Sequence, residues 1–335
     1  MKGRLFRKIW IPALVLFAAA WTAEAQSLDS LIIEARGSWL HQNSKGGYSS
    51  ALQAEYFNIQ LGGTISDNLS YRIRQRMNIP IDAKNPFRAT DLLSLTWQVT
   101  PQWSITTGKT AILIGCSEYD SPPIDVYYYS QFCSNLSQCF AFGINSGYEI
   151  SDGQSIVVQI SNSPLSTGFE NTYAYNAAWT GLIAPWWKTV WSCNFVEDNL
   201  HRYMNYIALG NHLVFGGLAI DFDLFHRASF RQDRYFFTDY SFISKAIWTV
   251  NRWNFCFKAG HEYNSSANID EAGLSYDTVI PAGTQYFYGG CGIEYFPGRT
   301  DDVRLHLAYF RNNFDHTDNF TFGVKWKIDV LKRKD

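Results

Sequence analysis

Three arginines at alternate positions, Arg72, Arg74 and Arg76, are the strongest chemical signature in this 335-residue chain. On a β-strand such positions share one face, so the guanidiniums would stand about 7 Å apart in a row suited to attracting anions. A second ionisable group, Glu118, Asp120 and Asp125, lies in an irregular stretch and is followed by Tyr127, Tyr128 and Tyr129. Carboxylates could steer polar solutes or brace the arginines, and phenol rings could stack on sugars or simply fill space. Further cations (Arg36, Lys245, Lys258, Arg304, Lys325, Lys327) and acids (Glu34, Asp221, Asp223, Glu294) sit next to apolar residues in strand-like segments.

Catalytic chemistry is thinly represented. In Gly143-Ile144-Asn145-Ser146-Gly147 the serine stands one position late for a G-x-S-x-G nucleophile elbow, and no H-E-x-x-H occurs. Asp221 and Asp223 offer far fewer than the six to eight oxygens that calcium takes. The sequence therefore predicts a non-enzyme with no cofactor and no metal. A formal net charge of −2 gives no basis for nucleic-acid binding.

The elements that must carry these residues are two-faced strands. In Phe320-Thr321-Phe322-Gly323-Val324-Lys325-Trp326-Lys327-Ile328 every second residue suits lipid and the alternate ones suit water, a period that a helix cannot use. Sixteen such segments can be marked out, an even number, joined by alternating short and long connections. Short ones include Ser66-Asp67-Asn68, Ser151-Asp152-Gly153-Gln154 and Gly210-Asn211-His212, and long ones include 41–47, 115–139, 227–236 and 264–283. This pattern predicts an all-β, transmembrane, antiparallel up-and-down β-barrel of sixteen strands, wide enough to hold an aqueous channel. Its partners would be the lipid bilayer, lipopolysaccharide (through Arg227, Arg231 and Arg234) and small polar solutes or anions. Because a charge on the lipid face costs several kcal/mol near the midplane, the strand cations and acids are expected to face the lumen. Lys109 has the opposite parity, so either a bulge at Gly108 turns it inward or it lies near a strand end. Aromatic residues make up 17% of the chain, as interfacial girdles require, while a mean hydropathy of −0.19 is compatible with strands that are only half apolar.

Residues 1–25 read as a cleaved secretory signal peptide: Lys2, Arg4, Arg7 and Lys8, then an apolar run from Ile9 to Ala20, then Ala23-Glu24-Ala25. Its removal takes away four basic residues and one acidic residue, leaving 24 Lys and Arg against 29 Asp and Glu, a net −5, in a single domain over 26–335. Export to the bacterial outer membrane follows. Of six cysteines, Cys116, Cys133 and Cys139 share one irregular segment, where one disulfide is open and its pairing is not fixed. Cys193, Cys256 and Cys291 read as small strand fillers.

The run Gly108-Lys109-Thr110-Ala111-Ile112-Leu113-Ile114-Gly115-Cys116-Ser117-Glu118-Tyr119-Asp120-Ser121-Pro122-Pro123-Ile124-Asp125-Val126-Tyr127 resembles the phosphate-selective porin O/P family as found in Bacteroidetes. Leu69-Ser70-Tyr71-Arg72-Ile73-Arg74 and Gln159-Ile160-Ser161-Asn162-Ser163-Pro164 resemble the family's strands on either side of that stretch, and the specific part spans roughly 55–165. The resemblance implies an outer-membrane porin of sixteen strands, usually trimeric, whose third outer loop, here about 115–139, folds inward as a constriction. Phosphate selectivity in that group looks to depend on Arg and Lys at the constriction, yet no Lys or Arg occurs between Lys109 and Lys188.

These readings together predict passive transport of small hydrophilic solutes or anions, through a lumen whose pore-lining residues are Arg72, Arg74, Arg76, Glu118, Asp120, Asp125, Tyr127, Tyr128, Tyr129, Arg304, Lys325 and Lys327. The arginine row, with Arg304, Lys325, Lys327 and Arg36, would form one basic sector opposite the acidic loop and set up a transverse field. Alternatively, Arg72, Arg74 and Arg76 pair directly with Glu118, Asp120 and Asp125 and only hold the loop. A non-transporting outer-membrane barrel that binds partners at its surface, and a soluble secreted β protein with a sugar-stacking face, are the competing readings.

Overall fold

The alternating pattern folds as expected. The structure, a computed structural model, describes residues 27–80, 87–136, 139–166, 171–298, 300–314 and 316–332, so the segment read as a signal peptide lies outside the described residues. Sixteen antiparallel strands close into a barrel in which each pairs with its sequence neighbours and β1 pairs with β16. They are β1 (Ser30–Ser44), β2 (Gly47–Ser66), β3 (Leu69–Arg76), β4 (Thr90–Gln98), β5 (Trp103–Ala111), β6 (Phe140–Ser151), β7 (Gln154–Asn162) and β8 (Tyr173–Ala184). The second half comprises β9 (Trp187–Glu197), β10 (Tyr203–Phe215), β11 (Leu218–Ser229), β12 (Tyr240–Val250), β13 (Trp253–Tyr263), β14 (Gln285–Tyr295), β15 (Val303–Asn312) and β16 (Asp318–Asp329). Closure leaves no free sheet edge, which a hydrocarbon environment demands.

Side-chain parity separates the two faces. Phe322, Leu307 and Phe257 are 55%, 53% and 55% exposed, whereas Lys325 and Glu34 on the other face are 0% exposed. Across the closing seam Arg36 stands opposite Lys325 and Glu34 opposite Lys327, so the charges of β1 and β16 share the inner face. The exposed aromatics Trp97, Trp103, Tyr148, Trp186, Trp248 and Trp253 stand beside short turns, as an interfacial girdle would.

Two connections differ from expectation. The turn expected at Gly210-Asn211-His212 lies inside β10, and the chain reverses at Gly216-Gly217, where Gly216 has φ +58°. Gly210 is needed for a different reason: a Cβ there would come 2.7 Å from the carbonyl oxygen of Gly115. The long connection expected at 41–47 is a tight turn, because β1 runs to Ser44 and β2 starts at Gly47.

Among the described residues all six cysteines are free thiols, so the open disulfide of the irregular segment is not formed. Lys109 keeps its outward parity, paired with Leu93 and Phe142 near the strand end, and its Nζ donates to the carbonyl of Phe87 at 2.8 Å. The strand-end alternative therefore holds.

Candidate functional site

The connection between β5 and β6 contains two short helices, α1 (Ser117–Asp120) and α2 (Gln131–Asn135), separated by a 3-10 turn over Pro123–Asp125. Helices this short have little intrinsic stability, and wall carboxylates supply what their N-termini lack. Asp223 on β11 accepts from Ser117 N at 3.0 Å, Glu118 N at 3.3 Å and Cys116 Sγ at 3.1 Å. Glu262 on β13 accepts from Gln131 N at 2.6 Å and Phe132 N at 2.9 Å. Arg36 on β1 donates to the carbonyls of Val126 at 2.9 Å and Ile124 at 3.1 Å, satisfying oxygens left free at the end of the 3-10 turn. Upstream, Asn194 Nδ2 donates to Leu113 O at 2.6 Å and Gly115 N donates to Ser192 Oγ at 2.9 Å.

Apolar packing fixes the same segment. Ile112, Ile114, Phe132 and Leu136 are buried against Tyr206, Phe225 and Ile243 of β10 to β12, together with Val279 and Ile280 of the 264–284 connection. The wall partners belong to the strand parity opposite the exposed apolar rows, and they lie on β1, β9, β11 and β13.

The loop acids bind cations of the wall, though not those of the arginine row. Glu118 Oε2 lies 2.6 Å from Lys258 Nζ, and Glu118 Oε1 accepts from Ser130 N at 2.8 Å. Asp125 Oδ1 lies 2.7 Å from Lys325 Nζ and 2.9 Å from Arg304 Nη2. Burial pushes the Asp125 carboxyl upward, but Lys325 and Arg304 outweigh it and hold the group below the usual carboxylate range. Glu294 on β14 completes the cluster, 2.5 Å from Lys325 and 3.5 Å from Arg304, and accepts from Tyr127 OH at 2.7 Å. Asp120 touches water, yet protein encloses it on most sides. That enclosure, with the Asp223 carboxylate, pushes it up to about 7 against the pull of Lys188.

Arg72, Arg74 and Arg76 do share a face, opposite Gly62, Gln60 and Asn58 of β2. The direct pairing with Glu118, Asp120 and Asp125 is not found. Instead Asp91 on β4 takes Arg76 Nε at 2.8 Å and Arg74 Nε at 3.3 Å. Arg72 is exposed near the short-turn end, without an ion pair among the described residues. Lys327 lies 3.2 Å from Glu34. The expected transverse field also needs correction, because Asp125 is in contact with Arg304 and Lys325 rather than facing that sector from a distance. The three tyrosines are packed: Tyr128 stacks on Phe310 at 5.3 Å and bonds Tyr286 OH at 2.7 Å, and Tyr129 OH reaches Tyr56 OH at 3.5 Å. Tyr127 sits under the guanidinium of Arg36 and the ammonium of Lys325, 5.3 Å and 4.8 Å from its ring centre. The rings of Tyr127 and Tyr128 are thus engaged by their neighbours, while Tyr129 lines a cavity beside Tyr56.

Sequence reasoning missed Asp91, Glu55 and Glu262. Asp91 and Glu55 both sit where strand pairing shifts by one residue, so simple alternation assigns them no reliable face. Glu262 had the correct parity, but its role depends on where α2 ends up. Arg227, expected at a basic outer loop, is in β11, fully buried and 2.9 Å from Asp277, leaving Arg231 and Arg234 exposed.

Two cavities flank the loop and share Val126, Tyr127 and Phe310. One of about 190 Å³ is lined by Asp125, Asp221, Lys245, Lys258 and Arg304, and one of about 370 Å³ by Arg36, Glu55, Tyr128, Tyr129 and Asn319.

Residues 41–186 match the family model described as phosphate-selective porin O and P, a stretch that contains the run around Gly108–Tyr127. No curated protein matches the chain. Among solved structures, an anion-selective porin from Comamonas acidovorans aligns with a TM-score of 0.63 at 9% identity, covering 90% of this chain and 100% of that one. The trimer form of OmpT, an outer membrane protein of Vibrio cholerae, aligns with a TM-score of 0.62 at 10% identity, covering 91% and 100%. A porin variant from Rh. blastica aligns with a TM-score of 0.53 at 13% identity, covering 91% and 100%. At these identities the likeness is one of fold.

Proposed function

Starting from a closed barrel of porin architecture with kinship to the phosphate-selective porins O and P, we propose that this chain is an outer-membrane channel for passive diffusion of small hydrophilic solutes. Loop 115–139 is its constriction. The observation that carries this reading is the placement of that loop between two cavities, anchored to inner-face side chains from β1, β11 and β13. Ion preference is weak, because the ion pairs at the loop balance: Glu118 with Lys258, Glu55 with Arg36, and Asp125 and Glu294 with Arg304 and Lys325. The channel works as a trimer in the bilayer, and its exposed Arg231 and Arg234 can meet lipopolysaccharide phosphates.

Purified protein added to a planar bilayer is expected to give stepwise conductance. Absence of steps at high protein load would favour the second reading, a plugged barrel that binds partners at its surface. The apolar packing of Ile112, Phe132 and Ile280 inside β10 to β12 is what speaks for that alternative. Inorganic phosphate should not block chloride current at micromolar concentration, since the loop itself presents carboxylates.

A further inference from the structure

Among the described residues Asp91 is the one carboxylate in ion-pair contact with two arginines. It stands where the β3–β4 register slips: Arg74 pairs with Leu92 and Gln75 with Thr90, which leaves Asp91 without a partner across the ladder. The slip brings its side chain to the face that carries Arg74 and Arg76, where it is 3% exposed. Both guanidiniums also lie about 6 Å from the Phe140 ring, at 6.0 and 5.9 Å, so they are held between a carboxylate and an aromatic face. Among the described residues Asp91 thus lies within ion-pair reach of both guanidiniums, whereas Asp125 and Glu294 together face Arg304 and Lys325.

We propose that Asp91, aimed into the lumen by the β3–β4 register slip, is the specificity-determining residue of this channel. By occupying Arg74 and Arg76 it keeps them from drawing multivalent oxyanions into the passage. The proposal rests on the channel reading given above. Asp91 acts through the two arginines, so it is a positioning residue that sets the local charge. Its loss would leave two forked donors within reach of one another, the geometry that favours tetrahedral oxyanions.

Two measurements on full-length protein test this. In a KCl gradient, Asp91→Asn is expected to raise the chloride-to-potassium permeability ratio roughly threefold, Asp91→Glu to stay at the wild-type ratio, and Asp91→Asn/Arg76→Ala to return towards it. An unchanged ratio in Asp91→Asn would overturn the proposal. The second measurement needs no current: thermal unfolding of the detergent-folded barrel in sulfate against chloride at equal ionic strength. Asp91→Asn should gain more stabilisation from sulfate than wild type, and an equal gain in both would overturn it. A wild-type protein that gives no conductance at all defeats the channel reading, while the sulfate comparison still decides whether Asp91 blocks an oxyanion site.

Discussion

Glu118 and Lys258 form an ion pair 2.6 Å long with side-chain exposures of 3% and 8%, joining α1 to β13 where water hardly reaches. Lys258 also donates to the carbonyl of Tyr128 at 2.5 Å, so one ammonium ties both ends of the loop's central stretch to the wall. Removing one partner of a buried pair leaves the other uncompensated, at a cost of about 3–5 kcal/mol. Glu118→Gln is therefore expected to lower the unfolding temperature and make channel current restless. Glu118→Gln combined with Lys258→Met should recover most of the stability, as followed by thermal unfolding in detergent. Equal losses in the single and double variants would show that the pair does not hold the loop.

The two helix caps make a separate prediction. Asp223 and Glu262 each serve two backbone N–H groups, and loss of such a cap costs about 0.5–2 kcal/mol. Asp223→Ala with Glu262→Ala should release the loop and raise single-channel conductance. The same conductance as wild type would mean that some other segment is the narrowest point.

Asp125 touches both Lys325 and Arg304, while Glu294 shares them. Asp125→Asn leaves two cations to one acid, so the reversal potential in a KCl gradient should move towards anion preference, and Arg304→Gln should move it the opposite way. Shifts of the same sign in both variants would place the cluster away from the ion path.

The raised carboxyl of Asp120 gives a pH dependence. Held at about 7 by its enclosure and by Asp223, it is mostly neutral at pH 6 and mostly charged at pH 8. Cation preference should therefore increase over that interval as one negative charge appears. His212 and Lys188 line the same pocket and can contribute, which makes Asp120→Asn the deciding comparison. A pH response that survives in Asp120→Asn assigns it to those neighbours.

The strands were legible because membrane parity is strict: a misplaced charge costs several kcal/mol, so alternation along β16 or β3 writes its own inner face. Arg72, Arg74 and Arg76 were read correctly as one row for that reason. Their partner was not, because Asp91 lies at a register slip, and a slip of one residue erases what alternation records. The loop's contacts are long-range, as with Lys325 and Asp125, 200 positions apart, and local spacing holds no record of such a meeting. Gly210 misled for a physical reason as well: glycine marks a tight turn or a close approach of two backbones, and here it marks the second.

That approach has a consequence for the seating of the loop. A Cβ at Gly115 would collide with Val190 O, and one at Gly210 would meet Gly115 O at 2.7 Å, so loop and wall touch main chain to main chain on the β9–β10 side. A side chain at either glycine would therefore push the loop off the wall at that one point, next to the pocket lined by Asp120, Lys188 and His212.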